Sequence, residues 1–208
     1  VQHRVIMANV LLIFAHPALE SSRINKVLVE GIDQIPGLHF HDLYQHYPDF
    51  YINVQREQEL LLQHDIVIWQ HPLYWYSTPP LLKQWIDLTL EHGWAYGSTG
   101  IFLRGKKLLS VITAGGGRKA YEAGGSNHYS IQEFLRPLEQ TAKLCGMEYL
   151  PPYVIHSTHS IDEENAWKIR EEYHSFLKGL ITGDIRPEEL SSLDYTNDLT
   201  PSQPVKNQ

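Results

Sequence analysis

Three short stretches hold residues whose types and spacing could do chemistry. The first contains His16, Ser22, Arg23 and Asn25, where an apolar run gives way to a helical repeat. Free backbone N–H groups and the helix dipole make such a place an anion site. Ser22 and Asn25 would add hydrogen bonds there and Arg23 would add charge. The stretch is neither Gly-x-Gly-x-x-Gly nor Gly-x-x-x-x-Gly-Lys-Ser/Thr, which disfavours a dinucleotide pyrophosphate and a nucleoside triphosphate. A single phosphate suits it. A plain helix cap by Ser21 or Ser22 suits the same residues.

The second stretch is Pro72-Leu73-Tyr74-Trp75-Tyr76, within residues 70–80. Consecutive apolar and aromatic side chains are costly on an exposed loop. They make sense around a large flat ligand, because pockets are mostly apolar with a few placed polar groups. Pro72, Pro79 and Pro80 stiffen both ends. A core or dimer contact is the competing reading for Trp75 and Tyr76. The third stretch is Thr113-Ala114-Gly115-Gly116-Gly117. Its glycines allow close backbone approach and leave N–H donors free. Such donors would stabilise a ring that gains negative charge on reduction. Tyr121 and His128 follow and could donate to a developing anion; packing or surface roles are the alternative.

Alternating strands and helices must position these stretches. Continuous apolar runs at 10–15 and 66–69 read as strands buried on both faces. Residues 38–42, 107–114 and 148–155 complete a set of five, the last held to an edge by Pro151-Pro152. Helical spacing is expected over 24–32, 57–63, 81–90, 130–145 and 160–180. Ser130 with Glu133 and Ser160 with Glu163 read as capping boxes. Five strands alternating with five helices predict an α/β fold: a flavodoxin-like parallel sheet of order 2-1-3-4-5 with helices on both faces. In such folds ligands bind beyond the carboxyl ends of the strands, at the switch point. The stretches after strands one, three and four therefore meet on one rim. The expected organisation is an N-terminal extension over 1–8, the flavodoxin-like domain over 9–181, and a tail or arm over 182–208.

Composition excludes several classes. A net charge of -7 gives no basic footprint for nucleic acid. A lone cysteine, Cys145, rules out an internal disulfide and suits a reducing, cytoplasmic setting. The apolar run at 9–15 is too short to span a bilayer and lacks a cleavage site, so no secretory signal is expected. His39 with His41, and His156 with His159, invite a metal reading. No Cys/His/carboxylate set has ligand spacing, so no metal is expected.

Assembled in this way, the chain resembles the NAD(P)H:quinone oxidoreductase (DT-diaphorase-like) family over about residues 9–181. The most specific part is Pro72-Leu73-Tyr74-Trp75-Tyr76 with Pro79, Leu82, Lys83 and Trp85. The resemblance implies that this loop lies beside a flavin ring. It also implies that His16 and residues 22–25 hold the flavin phosphate, and that residues 113–117 meet the ring's pyrimidine end. Tyr121 matches a tyrosine implicated in hydride transfer. Ala114 replaces a usual threonine, and His128 is displaced from the family spacing, with Asn127 nearer to it. The small bacterial members, including ancillary subunits of glutathione-gated potassium efflux systems, are closer in pattern. FMN is implied rather than FAD, because the chain is short after its fifth strand. NAD(P)H as hydride donor, a quinone-type acceptor, ping-pong turnover and a homodimer are implied too. The alternative is a regulatory ancillary subunit, peripheral at a membrane through a transporter partner, with the flavin as sensor.

Overall fold

The computed structural model describes residues 7–199. One parallel sheet organises them. β1 (Val10–Phe14) lies between β2 (Leu38–Asp42) and β3 (Ile66–Pro72), and β4 (Lys107–Thr113) follows β3. The fifth position is shared by β5 (Glu148–Tyr149) and β6 (Tyr153–Ile155), both paired with β4. The order β2-β1-β3-β4-β5 is the expected one. Phe14 pairs with Gln70, and Gln70 with Val111, so the carboxyl ends of the three middle strands emerge on one rim.

Successive side chains of a strand point to opposite faces. Here Leu11, Ile13, Val67, Trp69 and Leu108 enter one core layer, and Val10, Leu12, Phe14, Ile68 and Leu109 the other. Both layers are covered, which is why the strands read as unbroken apolar runs. The second layer is closed by α1 (Arg23–Val29) and by the long helix near the C-terminus, through Leu28, Tyr173 and Leu177. On the first layer Trp69 meets Trp85 edge to face, with ring centroids 6.3 Å apart. Such a pair contributes about 0.5–1.5 kcal/mol beyond its buried area. The indole N–H of Trp85 donates to the buried Glu57 carboxylate at 2.7 Å, and the Tyr47 hydroxyl donates to it at 2.5 Å. His41 reaches the same carboxylate at 3.0 Å. A buried charge is tolerable only with such partners. His41 is thus a hydrogen-bond partner of Glu57, while His39 packs edge-on against His64. Among the described residues no group of three or more His, Cys, Asp or Glu is arranged to hold a metal.

Several boundaries differ from expectation, each for a local reason. The expected loop over 44–53 opens with a short helix, α2 (Leu43–His46), because the Asp42 carboxylate accepts from the Tyr44 and Gln45 N–H groups. The helix expected at 57 begins earlier, as α3 (Val54–Leu62), with Asn53 as its cap. The next helix, α4 (Pro80–Thr89), has Pro80 in its first turn. The helix expected over 130–145 is two helices, α5 (Ile131–Phe134) and α6 (Arg136–Leu144). Pro137 has no N–H to continue the first and can only start the second. The Ser130–Glu133 capping box is present. The second box is not. α7 (Glu163–Thr182) is capped by Asp162, whose carboxylate accepts from Asn165 N–H at 2.8 Å, while the Ser160 hydroxyl donates to Ser157 O. A carboxylate is the better partner for the helix dipole. Pro151-Pro152 splits the fifth strand in two.

Beyond α7 the chain turns at Gly183, where φ is 77°. It then forms α8 (Pro187–Leu190) and lies along the outer edge of the sheet. Thr196 N–H donates to Pro152 O at 3.0 Å, and Val154 N–H donates to the Asn197 side chain at 2.7 Å. Residues expected as a tail or arm are packed in this way as far as Leu199; 1–6 and 200–208 lie outside the described residues. Among the described residues no helix is long and apolar enough to cross a membrane.

Candidate functional site

The rim above the carboxyl ends of β1, β3, β4 and β6 carries two adjoining cavities of about 470 Å³ each. Leu73, Gly115 and His159 form the wall they share. Volumes of this size suit cofactors and drug-sized molecules.

The inner cavity is built on the start of α1. The Ser22 hydroxyl caps the helix, accepting from Asn25 N–H at 3.3 Å and from the Asn25 side-chain amide at 3.0 Å. That amide also donates to Thr113 Oγ1 at 3.2 Å, tying the end of β4 to the helix. Ser22 is therefore both a cap and a cavity-lining residue, so the two readings of this stretch are compatible. The Arg23 guanidinium crosses to Ile161 O at 2.5 Å and lines the same wall. His16 is buried; its Nδ1 accepts from Ala18 N–H at 3.2 Å, and its ring meets Tyr74 edge-on. Burial holds the His16 imidazole below its ordinary pKa, so it is neutral at neutral pH. Pro72, Leu73, Tyr74, Thr113 and Gly115 complete this side.

The outer cavity is shallower. Leu73 is fixed by donating its N–H to Thr113 O at 2.9 Å. The chain then turns tightly, with Ser77 N–H donating to Tyr74 O and both central residues at positive φ, 47° for Trp75 and 62° for Tyr76. That is the arrangement of a type I′ turn, which normally selects Asn-Gly. Bulky residues held there are strained, and such strain clusters at functional sites. Tyr76 stacks on Phe134 at 4.8 Å and reaches Asn127 with its hydroxyl, while Trp75 stands 92% exposed.

The Gly-rich stretch divides the cavities. Ala114 is buried, its N–H is spent on Ile155 O, and it lines neither space. A Cβ on Gly115 would come 2.6 Å from the His159 ring, and one on Gly116 3.0 Å from the Tyr121 ring. The clearance at these glycines is thus used by neighbouring side chains. Tyr121 is buried and lines the outer cavity. Burial raises its phenol pKa, against a smaller opposing pull from the Gly116 backbone N–H.

His16, Ser22, Arg23, Asn25, Pro72, Leu73, Tyr74, Thr113 and Gly115 meet in the inner space, and Trp75, Tyr76, Gly116 and Tyr121 in the outer. His128 is exposed, sits at φ 62° and lines neither; Asn127 faces the site instead. Thr158 and His159 were missed by sequence reasoning. They follow the fifth strand, and the switch-point rule applied to that strand would have found them.

This chain is similar to many known proteins, among them the following three. The glutathione-regulated potassium-efflux system ancillary protein KefF of Klebsiella aerogenes is 46% identical over 168 residues, covering 81% of this chain and 94% of that protein. The crystal structure of general stress protein 14 from Treponema denticola, in complex with FMN, superposes with a TM-score of 0.78 at 38% identity, covering 83% of this chain and 99% of that one. An NADPH-quinone reductase from P. pentosaceus superposes with a TM-score of 0.73 at 33% identity, covering 81% and 96%. The sequence model of the flavodoxin-like fold family matches residues 8–177. With the sheet order and the position of the paired cavities, this makes the chain a member of the flavodoxin-like fold family.

Proposed function

We propose that this protein is an FMN-dependent NAD(P)H oxidoreductase that passes two electrons to quinones or related electrophiles. The observation that carries the reading is the pair of cavities joined at Leu73 and Gly115, one lined by phosphate-type donors and one by aromatic rings. Relatives described as an FMN complex and as an NADPH-quinone reductase support it.

The residues fit FMN. Ser22, Asn25, Thr113 and Arg23 supply hydroxyl, amide and guanidinium groups for a phosphate and its ribityl chain. The Gly115 N–H has no backbone acceptor among the described residues and can donate to a ring edge. When bound, FMN supplies the hydride chemistry. Leu73 and Tyr74 would orient the ring, and the strained turn at Trp75 and Tyr76 would border the open face. Tyr121 keeps its proton at neutral pH and can hold it toward a developing anion at the outer cavity. One open slot serves donor and acceptor in turn, which is the basis of ping-pong kinetics here. A homodimer through residues 44–51 and 92–96 fits the 82% exposure of Tyr51. A cytoplasmic location is part of the same reading.

The first test is a visible spectrum of the purified protein, followed by anaerobic NADPH. Bleaching of a flavin spectrum is the expected result; a colourless protein that takes up no FMN overturns the reading. Tyr121→Phe should then lower kcat by about tenfold with flavin still bound, within the usual range for one proton-transfer group. Unchanged turnover removes Tyr121 from the mechanism. The likeness to KefF favours a second reading, a regulatory subunit on a glutathione-gated potassium efflux transporter. Slow turnover with every acceptor, together with specific capture of such a transporter, would select it.

A further inference from the structure

The family match ends at residue 177, yet the chain beyond it returns to the site. Arg118 lies directly after the Gly-rich stretch and opens the single turn Arg118–Tyr121. Its guanidinium makes two parallel bonds to the Asp198 carboxylate, at 2.7 and 2.8 Å. It also lies over the Tyr195 ring, 4.6 Å from its centre. Tyr195 is buried, and its ring meets the His156 imidazole edge-on at 5.7 Å. That imidazole also neighbours the Tyr121 ring, at 5.8 Å. The segment is fastened elsewhere too, by Asn197 to Val154 and by Asp194 O to the Gln132 side chain. Gln132 belongs to α5, whose Phe134 packs against both Tyr76 and Tyr121.

We propose that residues 194–199 are a strap that positions Tyr121, and that Asp198 and Tyr195 are its positioning residues. The Arg118–Tyr121 turn follows a glycine stretch pinned by Ser157 N–H to Gly116 O, and Asn127 N–H donates to Ala120 O near its end, so the front of the turn at Arg118 is the part left to side-chain contacts. A bidentate guanidinium–carboxylate pair fixes both distance and plane. The strap therefore holds the front of the turn, while His156 links the Tyr195 ring to the Tyr121 ring. Among the described residues none of the strap's hydrogen-bond partners lines the inner cavity. The proposal rests on the oxidoreductase reading for its kinetic consequence but not for its structural one.

The test uses the full chain with Asp198→Asn, Asp198→Glu and Tyr195→Leu. In Asp198→Asn and Tyr195→Leu, kcat should fall by about tenfold, with donor KM and FMN affinity little changed, as for a reacting group displaced rather than removed. Asp198→Glu, which keeps the charge, should restore most of kcat. A merely structural role would not give this split or this rescue. In the cofactor-free protein, amide hydrogen exchange over residues 117–122 should quicken in Asp198→Asn and Tyr195→Leu. Wild-type kcat and exchange in both variants would overturn the strap, as would a fall in FMN affinity as large as the fall in kcat. If the wild-type protein binds no FMN, the functional reading fails by itself, and exchange alone decides the strap.

Discussion

In the inner cavity Ser22, Asn25 and Thr113 are tied side chain to side chain, and His16 is buried beside them. In the outer cavity Trp75 and Tyr76 stand 92% and 47% exposed in a strained turn. The first arrangement suits a group that stays. Its polar atoms already have partners in the fold, so little order has to be created on binding. The second suits molecules that come and go, since exposed rings offer flat contact without a closed wall. The two halves share one sheet end and differ in what restrains them. Backbone and buried hydrogen bonds restrain the inner half. A turn, a stacked ring and a surface ion pair restrain the outer.

Acid should have the largest effect, because it must protonate an imidazole buried at the end of β3. His71 is fully buried at the end of β3, and burial pushes its pKa down to about 4 from 6.5. The unfolded chain takes up that proton near pH 6.5 and the folded chain only near pH 4. Stability is therefore full above 6.5 and falls as pH drops, by on the order of 3 kcal/mol at pH 4 from this residue. Burial lowers His16 and His156 in the same direction. Urea unfolding at a series of pH values measures the slope, and a flat profile from pH 7 to 4 would contradict a neutral His71.

Gly115→Val tests the shared wall. The exposed His159 ring can swing away from the new Cβ, so the fold survives, but the added methyl groups then fill the boundary between the cavities. Overpacking of about 1–3 kcal/mol would weaken FMN by roughly 10–100-fold. Fluorescence titration reads this, and unchanged affinity would take Gly115 out of the wall. Asn25→Ala leaves Thr113 Oγ1 without its donor and uncaps the tie to β4. A loss of about 1–3 kcal/mol in chemical denaturation is expected; a neutral result would mean the inner half is not held by this bond. The smallest effect is expected at the open end. Trp75→Gly relieves the positive φ and should raise stability by about 1 kcal/mol while raising acceptor KM. A drop in stability would show that the ring packs after all, and the contrast between the halves would narrow.

The sequence by itself determined the sheet. Apolar runs with no polar alternation have one good solution, a parallel sheet covered on both faces, and its right-handed winding sets the order. That order already brings the stretches after β1, β3 and β4 to one rim, so most site residues were legible from local pattern and topology. Tertiary structure alone decided what does not repeat with a period. Whether a helix crosses Leu135 depends on a missing donor at Pro137 and on what packs beneath it. Whether Asp162 or Ser160 caps α7 depends on the turn at Ser157, where φ is 59°. His128 and Asn127 are adjacent in the chain, and only the loop's path chose Asn127 to face the cavity. The polar stretch after residue 182 carries no apolar periodicity, yet it packs through a few side chains meeting distant partners, Arg118 with Asp198 and Asn197 with Val154. Contacts of that kind are set by where two remote surfaces come to rest, which a local reading of residue types cannot supply.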